Sequence, residues 1–252
     1  MQLRIKYFFD NIIGMNVYAI SDPHLSTVVN KPMTIFGEHW NNYWDIITKD
    51  WKEKVKDDDI VIISGDISWG ISLEEAKPDI DLIAALPGKI VIGKGNHDYW
   101  WPSLNKLKNW LPSNITPQFS NCLRYDNILI CGSRLWNMGP NVTAEDKRIL
   151  EKHELPRLIK SLDEMKEKRK EGDIVIVMTH FPPFDLQRQP SQFTKIFEEY
   201  QVDKVVYGHL HGDIFIPKDT HCNINGIDYY LTACDQVGHH LVKIIWQKCN
   251  SK

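Results

Sequence analysis

Two stretches, Ile60-Val61-Ile62-Ile63-Ser64-Gly65-Asp66 and Ile90-Val91-Ile92-Gly93-Lys94-Gly95-Asn96-His97-Asp98, share one pattern: a short β-branched run that stops at glycine and polar residues. Runs that are apolar at every position read as strands buried on both faces. The pattern recurs outward in both directions, at Val17 to Ile20, Ile128 to Ile130, Ile174 to Val177 and Val205 to Tyr207. Helical spacing lies between the runs. It is clearest from Ala144 to Lys170, where Leu158, Ile159, Leu162 and Met165 repeat amid charged residues. Pro156 should break or kink that stretch, which predicts either two helices or one bent helix. Pro102 to Asn127, rich in Pro, Asn and Ser, reads as loop. The strand-then-helix rhythm on both sides of the middle predicts two α/β halves whose sheets pack face to face between helical layers.

With 252 residues, 42% of them apolar and 25% charged, the chain can bury a full core. No linker or low-complexity tract divides it, so one domain is expected over residues 15–252. Met15 stands directly before the first strand run, and residues 1–14 read as an N-terminal extension. Asp10 and Asn11 interrupt that segment's apolar clusters and no small-residue cleavage site follows, unlike a signal peptide. No run elsewhere is long enough to cross a bilayer, so no membrane partner is expected. The five cysteines are scattered and form no C-x-x-C pair, which suits a reducing cytoplasm and suggests neither a disulfide framework nor a zinc ribbon. A net charge of -3 does not provide the basic field that a phosphate backbone attracts, so no nucleic-acid partner is expected.

The ends of the runs carry the chemistry. In order they read Ser21-Asp22-Pro23-His24, Ser64-Gly65-Asp66, Gly95-Asn96-His97-Asp98, Thr179-His180 and Tyr207-Gly208-His209-Leu210-His211-Gly212. Ligand sites in α/β sheets form outside the carboxyl ends of strands, and these five ends deliver metal-ligand residue types. Residues two apart on an extended segment point the same way, so Asp22 with His24, and His209 with His211, are each expected to present two ligands to one cavity. Carboxylate, imidazole and amide oxygen together suit Mn, Fe, Zn, Ni or Co, and the lack of cysteine argues against a thiolate site.

The ordered set D-x-H, G-D, G-N-H-D, H and G-H-x-H resembles the signature of calcineurin-like metallophosphoesterases, and it spans Asp22 to His211. The resemblance implies an α/β fold of the four-layer α/β/β/α sandwich type, with two mixed sheets packed face to face and flanked by helices. It implies two divalent metal ions, Mn, Fe or Zn foremost and Ni or Co also compatible. Asp22, His24, Asp66 and His211 would surround one ion, and Asp66, Asn96, His180 and His209 the other, with Asp66 bridging. A metal-bridged hydroxide would then attack phosphorus. His97, the motif histidine that binds no metal, would protonate the leaving oxygen, with Asp98 holding its ring. Asn96, His97 and Arg134 are the expected substrate contacts, and a structural ion pair is the equal alternative for Arg134.

Gly65-Asp66-Ile67-Ser68-Trp69-Gly70 lacks the second Asp and the Arg that protein serine/threonine phosphatases carry after the G-D, and Pro23-His24 stands where purple acid phosphatases differ. The bacterial-type predicted phosphohydrolases remain, and a small-molecule phosphodiester or phosphomonoester is the expected substrate. A non-catalytic binding scaffold of the same fold, or a nuclease, are the alternatives. His39, His153, His221, His239 and His240 read as surface or satisfied polar residues. Trp69, Tyr99, Trp100, Trp101 and Trp136 read first as loop packing and second as walls of a pocket for an apolar or planar leaving group.

Overall fold

The computed structural model describes residues 15–137, 141–185, 187–212 and 220–245; the extension expected at residues 1–14 lies outside them. Eleven strands form two sheets among these residues. The first sheet holds β1 (Val17–Ile20), β2 (Ile60–Ile63), β3 (Lys89–Ile92), β4 (Ile115–Pro117) and β11 (Val242–Ile245), in the order β11-β1-β2-β3-β4. The second holds β5 (Leu123–Tyr125), β6 (Ile128–Gly132), β7 (Ile174–Met178), β8 (Lys204–Tyr207), β9 (His221–Ile224) and β10 (Ile227–Leu231), in the order β5-β6-β7-β8-β10-β9. In the first sheet β11 runs antiparallel to β1 and the other pairs are parallel. In the second, β5 and β9 are antiparallel edges on a parallel centre. Both sheets are mixed, as expected.

Side-chain alternation builds the layers. Val17, Ala19, Ile60, Ile62 and Val91 face the other sheet, where Ile128, Ile130, Ile176, Met178 and Val206 meet them. Their neighbours Tyr18, Ile20, Val61, Ile63, Ile90 and Ile92 face outward onto Ile47 and Trp51 of α1 (Tyr43–Lys54), Ala76, Ile80 and Ile83 of α2 (Leu73–Ala84), and Leu107 of α3 (Leu104–Trp110). On the far side, Leu129, Val175, Val177 and Val205 pack on Leu158, Leu162 and Met165 of α5 (Leu155–Lys168) and Phe193 and Phe197 of α6 (Gln192–Glu199). This is the four-layer α/β/β/α sandwich. None of the described helices is long and apolar enough to cross a membrane.

Two sequence expectations need correction. The segment from Pro102 to Asn127 carries α3, β4 and β5 rather than loop alone. Its strands are only three residues each, too short for period-2 reading. The stretch around Pro156 is neither a break nor a simple bend: α4 (Ala144–Ile149) passes through a π-turn at Leu150–Glu154 straight into α5. Pro156 is the second residue of α5, directly after the π-turn. The widened turn accommodates the proline and buries Glu154 completely.

Candidate metal centre

The parallel strands β1, β2, β3, β7 and β8 all end at one edge of the sandwich, and the five predicted ends converge there. Backbone hydrogen bonds stitch the ends together: Asp22 N–H donates to Gly65 O at 3.0 Å, His24 N–H to Asp66 O at 3.0 Å, and Gly208 N–H to His180 O at 3.1 Å. The ring of His180 spans the two sheets, with Nδ1 3.0 Å from Ser64 O.

Two groups of side chains result. Asp22, His24 and His211 bring one ligand atom each within 4.8 Å of one another, and so do Asp22, Asp66 and His180. Asp66 Oδ2 lies 3.6 Å from His24 Nε2 and 3.4 Å from His180 Nε2, so one carboxylate oxygen reaches a histidine of each group. Asn96 Oδ1 lies 2.7 Å from His180 Nε2 and 2.9 Å from His209 Nδ1. The structure therefore gathers all seven residues expected to bind metal.

It gathers them differently from the expected strand pleat. Asp22 and His24 have φ of 58° and 46°, Asp66 has 51° and His209 has 71°. These are left-handed turns, each costing about 1 kcal/mol or more for a residue with a Cβ. His209 and His211 reach different partners: His209 turns to Asn96, and His211 to Asp22, 3.2 Å from its Nε2. Tight turns redirect each side chain independently, which spacing cannot show. Two glycines permit the crowding, because a Cβ on Gly95 would collide with Asp66 Oδ1 and one on Gly208 with Asp22 Oδ2.

The profile of calcineurin-like phosphoesterases matches residues 15–213. The chain belongs to this family. The uncharacterized protein MJ1445 of Methanocaldococcus jannaschii is 32% identical over 126 residues, which are 46% of this chain and 67% of that protein. Among solved structures, TT1561 of Thermus thermophilus superposes with a TM-score of 0.56 at 10% identity, over 91% of this chain and 97% of the other, and so shares the fold. A protein of unknown function, AQ665 of Aquifex aeolicus, gives a TM-score of 0.48 at 16% identity over 91% and 96% of the two chains.

For a calcineurin-like phosphoesterase the donor set is the expected one, and its electrostatics fit cations. Burial would raise Asp22, but His211 and His180 outweigh it and hold the carboxyl at about 2. Burial likewise opposes ionisation of Asp66, and His180 and His24 hold it well below the usual carboxylate range. Burial would lower His180 and His211, yet Asp66 and Asp22 raise the first to about 9, and Asp22 and Asp235 raise the second to about 10. Burial wins at His24, pushed down to about 4, and at His209, pushed down to about 3. The carboxylates thus face two imidazoles whose pKa burial lowers, His24 and His209, and two whose pKa the carboxylates raise, His180 and His211. His24 Nδ1 and His211 Nε2 are buried without a hydrogen-bond partner. His211 Nε2 lies 3.2 Å from Asp22 Oδ1 without the alignment of a hydrogen bond.

His97 lies beside this cluster. Its backbone N–H donates to Asp66 Oδ1 at 2.8 Å, and its half-buried ring packs 4.5 Å from Trp69 and 5.6 Å from His24. The ring makes no hydrogen bond to another described residue. Asp98 does not hold it, contrary to expectation. Asp98 is fully buried and accepts from the N–H groups of Asp66, Ile67 and Gly95 and from Trp100 Nε1 at 2.8 to 2.9 Å. Those donors lock the β2 and β3 turns against each other, a positioning role. Burial also lowers the His97 pKa instead of favouring its imidazolium. Arg134 forms the structural ion pair: its guanidinium pairs with buried Glu154 at 3.0 Å and stacks 4.3 Å from Trp136.

Sequence reasoning missed Asp235. It follows β10 and accepts from His211 Nδ1 at 2.8 Å and Gly212 N–H at 3.1 Å, fixing which ring nitrogen faces Asp22. The signal was there, since Ile227-Asp-Tyr-Tyr-Leu alternates as a half-buried strand and ends at Ala233-Cys234-Asp235. It also missed Lys31, whose ammonium lies 3.1 Å from the centre of the Trp69 ring. Of the outlying histidines, His239 Nε2 donates to His39 O, His240 Nδ1 pairs with Asp50 and His221 Nε2 with Asp228, as expected of satisfied polar residues, except that His239 Nδ1 is buried without a hydrogen-bond partner among the described residues.

Proposed function

We propose that this protein is a dinuclear metal-dependent phosphohydrolase acting on a small-molecule phosphodiester or phosphomonoester. The observation that carries the reading is Asp66 Oδ2 within 3.6 Å of imidazoles from both ligand groups, with the His97 ring 5.6 Å from that of His24. Asp22, His24, Asp66 and His211 would hold one divalent ion and Asp66, Asn96, His180 and His209 the second, with Mn, Fe or Zn foremost. Two such ions supply a water activated at neutral pH and charge to offset the phosphoryl oxygens. Ser64 O orients His180 and Asp235 orients His211, so each presents a chosen nitrogen. Asn96 carries its amide toward the same space and can donate to a phosphoryl oxygen. His97 stands where it can pass a ring proton to the leaving oxygen.

The test is turnover of bis-aryl and mono-aryl phosphates, cyclic nucleotides and nucleotide sugars by the Mn²⁺-loaded protein. Metal-dependent release of product from at least one ester class is expected. A protein that binds two metals yet turns over none of them is a scaffold, and the reading fails.

A further inference from the structure

Large apolar side chains left in solvent are concentrated in the loops that leave the ligand-bearing strands. Of the seven strongly exposed ones among the described residues, Val28 (58%), Ile35 (65%), Phe36 (56%), Ile71 (68%) and Tyr99 (68%) lie in the loops that follow β1, β2 and β3, the strands that deliver Asp22, Asp66 and Asn96. The loop after β1 touches the surroundings of the cluster at two points. At one, Lys31 sits on Trp69 and Met33 Sδ accepts from Trp69 Nε1 at 3.4 Å, while Trp69 itself stacks on His24 at 4.6 Å. At the other, Trp40 packs 6.1 Å from His211, and His39 O bonds His239. Between these two points Ile35 and Phe36 lie on a single helical turn, Met33–Phe36, that buries only Met33. Ile71 follows Trp69 by two residues, and the Tyr99 ring lies 6.4 Å from His97.

An apolar collar around a polar, phosphate-directed centre is a costly surface unless something apolar covers it. We propose that the collar receives the hydrocarbon part of the substrate, so that the ester is an amphiphile: a phosphate bearing an alkyl or acyl chain. This rests on the phosphohydrolase reading above. Charge favours the substrate over other occupants, because the Lys31 ammonium lies on Trp69, which itself stacks on the ligand histidine His24. A phosphate seated on the metals would have a cation beside it and apolar walls beyond.

The experiment measures affinity of the Mn²⁺-loaded protein for butyl-, hexyl- and octylphosphonate by calorimetry, which requires no turnover. The expected Kd falls about two- to fourfold per added methylene, up to the limit for complete burial. In the Ile35→Ser/Phe36→Ser/Ile71→Ser variant, whose changes are all at exposed positions, the dependence on chain length should flatten. A wild-type Kd that is flat with chain length overturns the inference, and turnover of short aryl esters then still stands as separate evidence for the phosphohydrolase. A flat dependence with a concentration-dependent dimer, or with binding to phosphatidylcholine vesicles, that the variant abolishes would assign the collar to a second copy or to a membrane instead.

Discussion

Asp50 and Asp66 are both buried carboxylates that touch a histidine, and they differ in what else they touch. Asp50, on α1, receives Lys54 Nζ at 2.8 Å, Leu241 N–H at 2.8 Å and His240 Nδ1 at 2.9 Å. Every contact there is a donor, and one negative charge meets one fixed positive charge. Asp66 receives a single backbone donor, from His97, and its second oxygen faces two imidazole nitrogens at 3.4 and 3.6 Å. A second carboxylate, Asp22, shares the same histidine at 3.8 Å. Contact between an aspartate and a histidine therefore says little. A metal centre is marked by a surplus of acceptors converging on one space with too few donors to satisfy them.

That contrast makes its strongest forecast for metal content. Asp66→Ala should leave the protein with little of either ion and no measurable hydrolysis, whereas Asp50→Ala should keep both ions. Elemental analysis decides: two metals per chain in the Asp66 variant would remove Asp66 from the bridge. The next effect in size belongs to His97, whose ring makes no hydrogen bond to another described residue. His97→Asn should retain both metals and lower kcat by roughly 10²- to 10⁴-fold on esters with poor leaving groups, with a much smaller loss on nitrophenyl esters. Equal losses on both would mean that the proton comes from elsewhere.

Asp235 tests the same contrast from behind the ligands. It resembles Asp50 in accepting from a histidine ring and a backbone N–H, yet its histidine is a candidate ligand. Asp235→Asn should weaken metal affinity by about 10- to 100-fold with the fold intact, and Asp235→Glu should restore part of it. Competitive chelator titration reads this directly. An unchanged affinity would place Asp235 with the structural carboxylates.

What the sequence discloses follows from which forces are local. Strands β1, β2, β3, β7 and β8 are legible because burial on both faces demands unbroken apolar runs. The ligand types at their ends are legible because parallel strands deliver their carboxyl ends to one edge. The edge strands β4, β5 and β9 are not, being short or only part-buried, with burial set by neighbours distant in the chain. The aim of each site residue is equally hidden. Asp98 sits next to His97 in sequence, and only the fold reveals that its carboxylate turns to the backbone of the β2 turn. Arg134 finds Glu154 because the π-turn brings it there.

The smallest effect concerns Asp50 itself. Burial would raise its carboxyl, but Lys54, Leu241 N–H and His240 together hold it below the ordinary value of 3.8. A depressed folded pKa means that the ionised form stabilises the fold. That contribution is fully present above about pH 4 and fades as pH falls through the folded value. Asp50→Asn keeps the acceptor for Leu241 and loses the charge, so it should cost about 1–2 kcal/mol at pH 7, roughly 2–8 °C in Tm for a chain of this size. Thermal scans of the metal-free wild type and variant between pH 7 and 3 exclude any effect of metal release. The two melting temperatures should stand apart at neutral pH and approach each other below pH 4. A deficit that persists undiminished to pH 3 would show that Asp50 acts by packing alone, and that the charge balance distinguishing it from Asp66 does not contribute to stability.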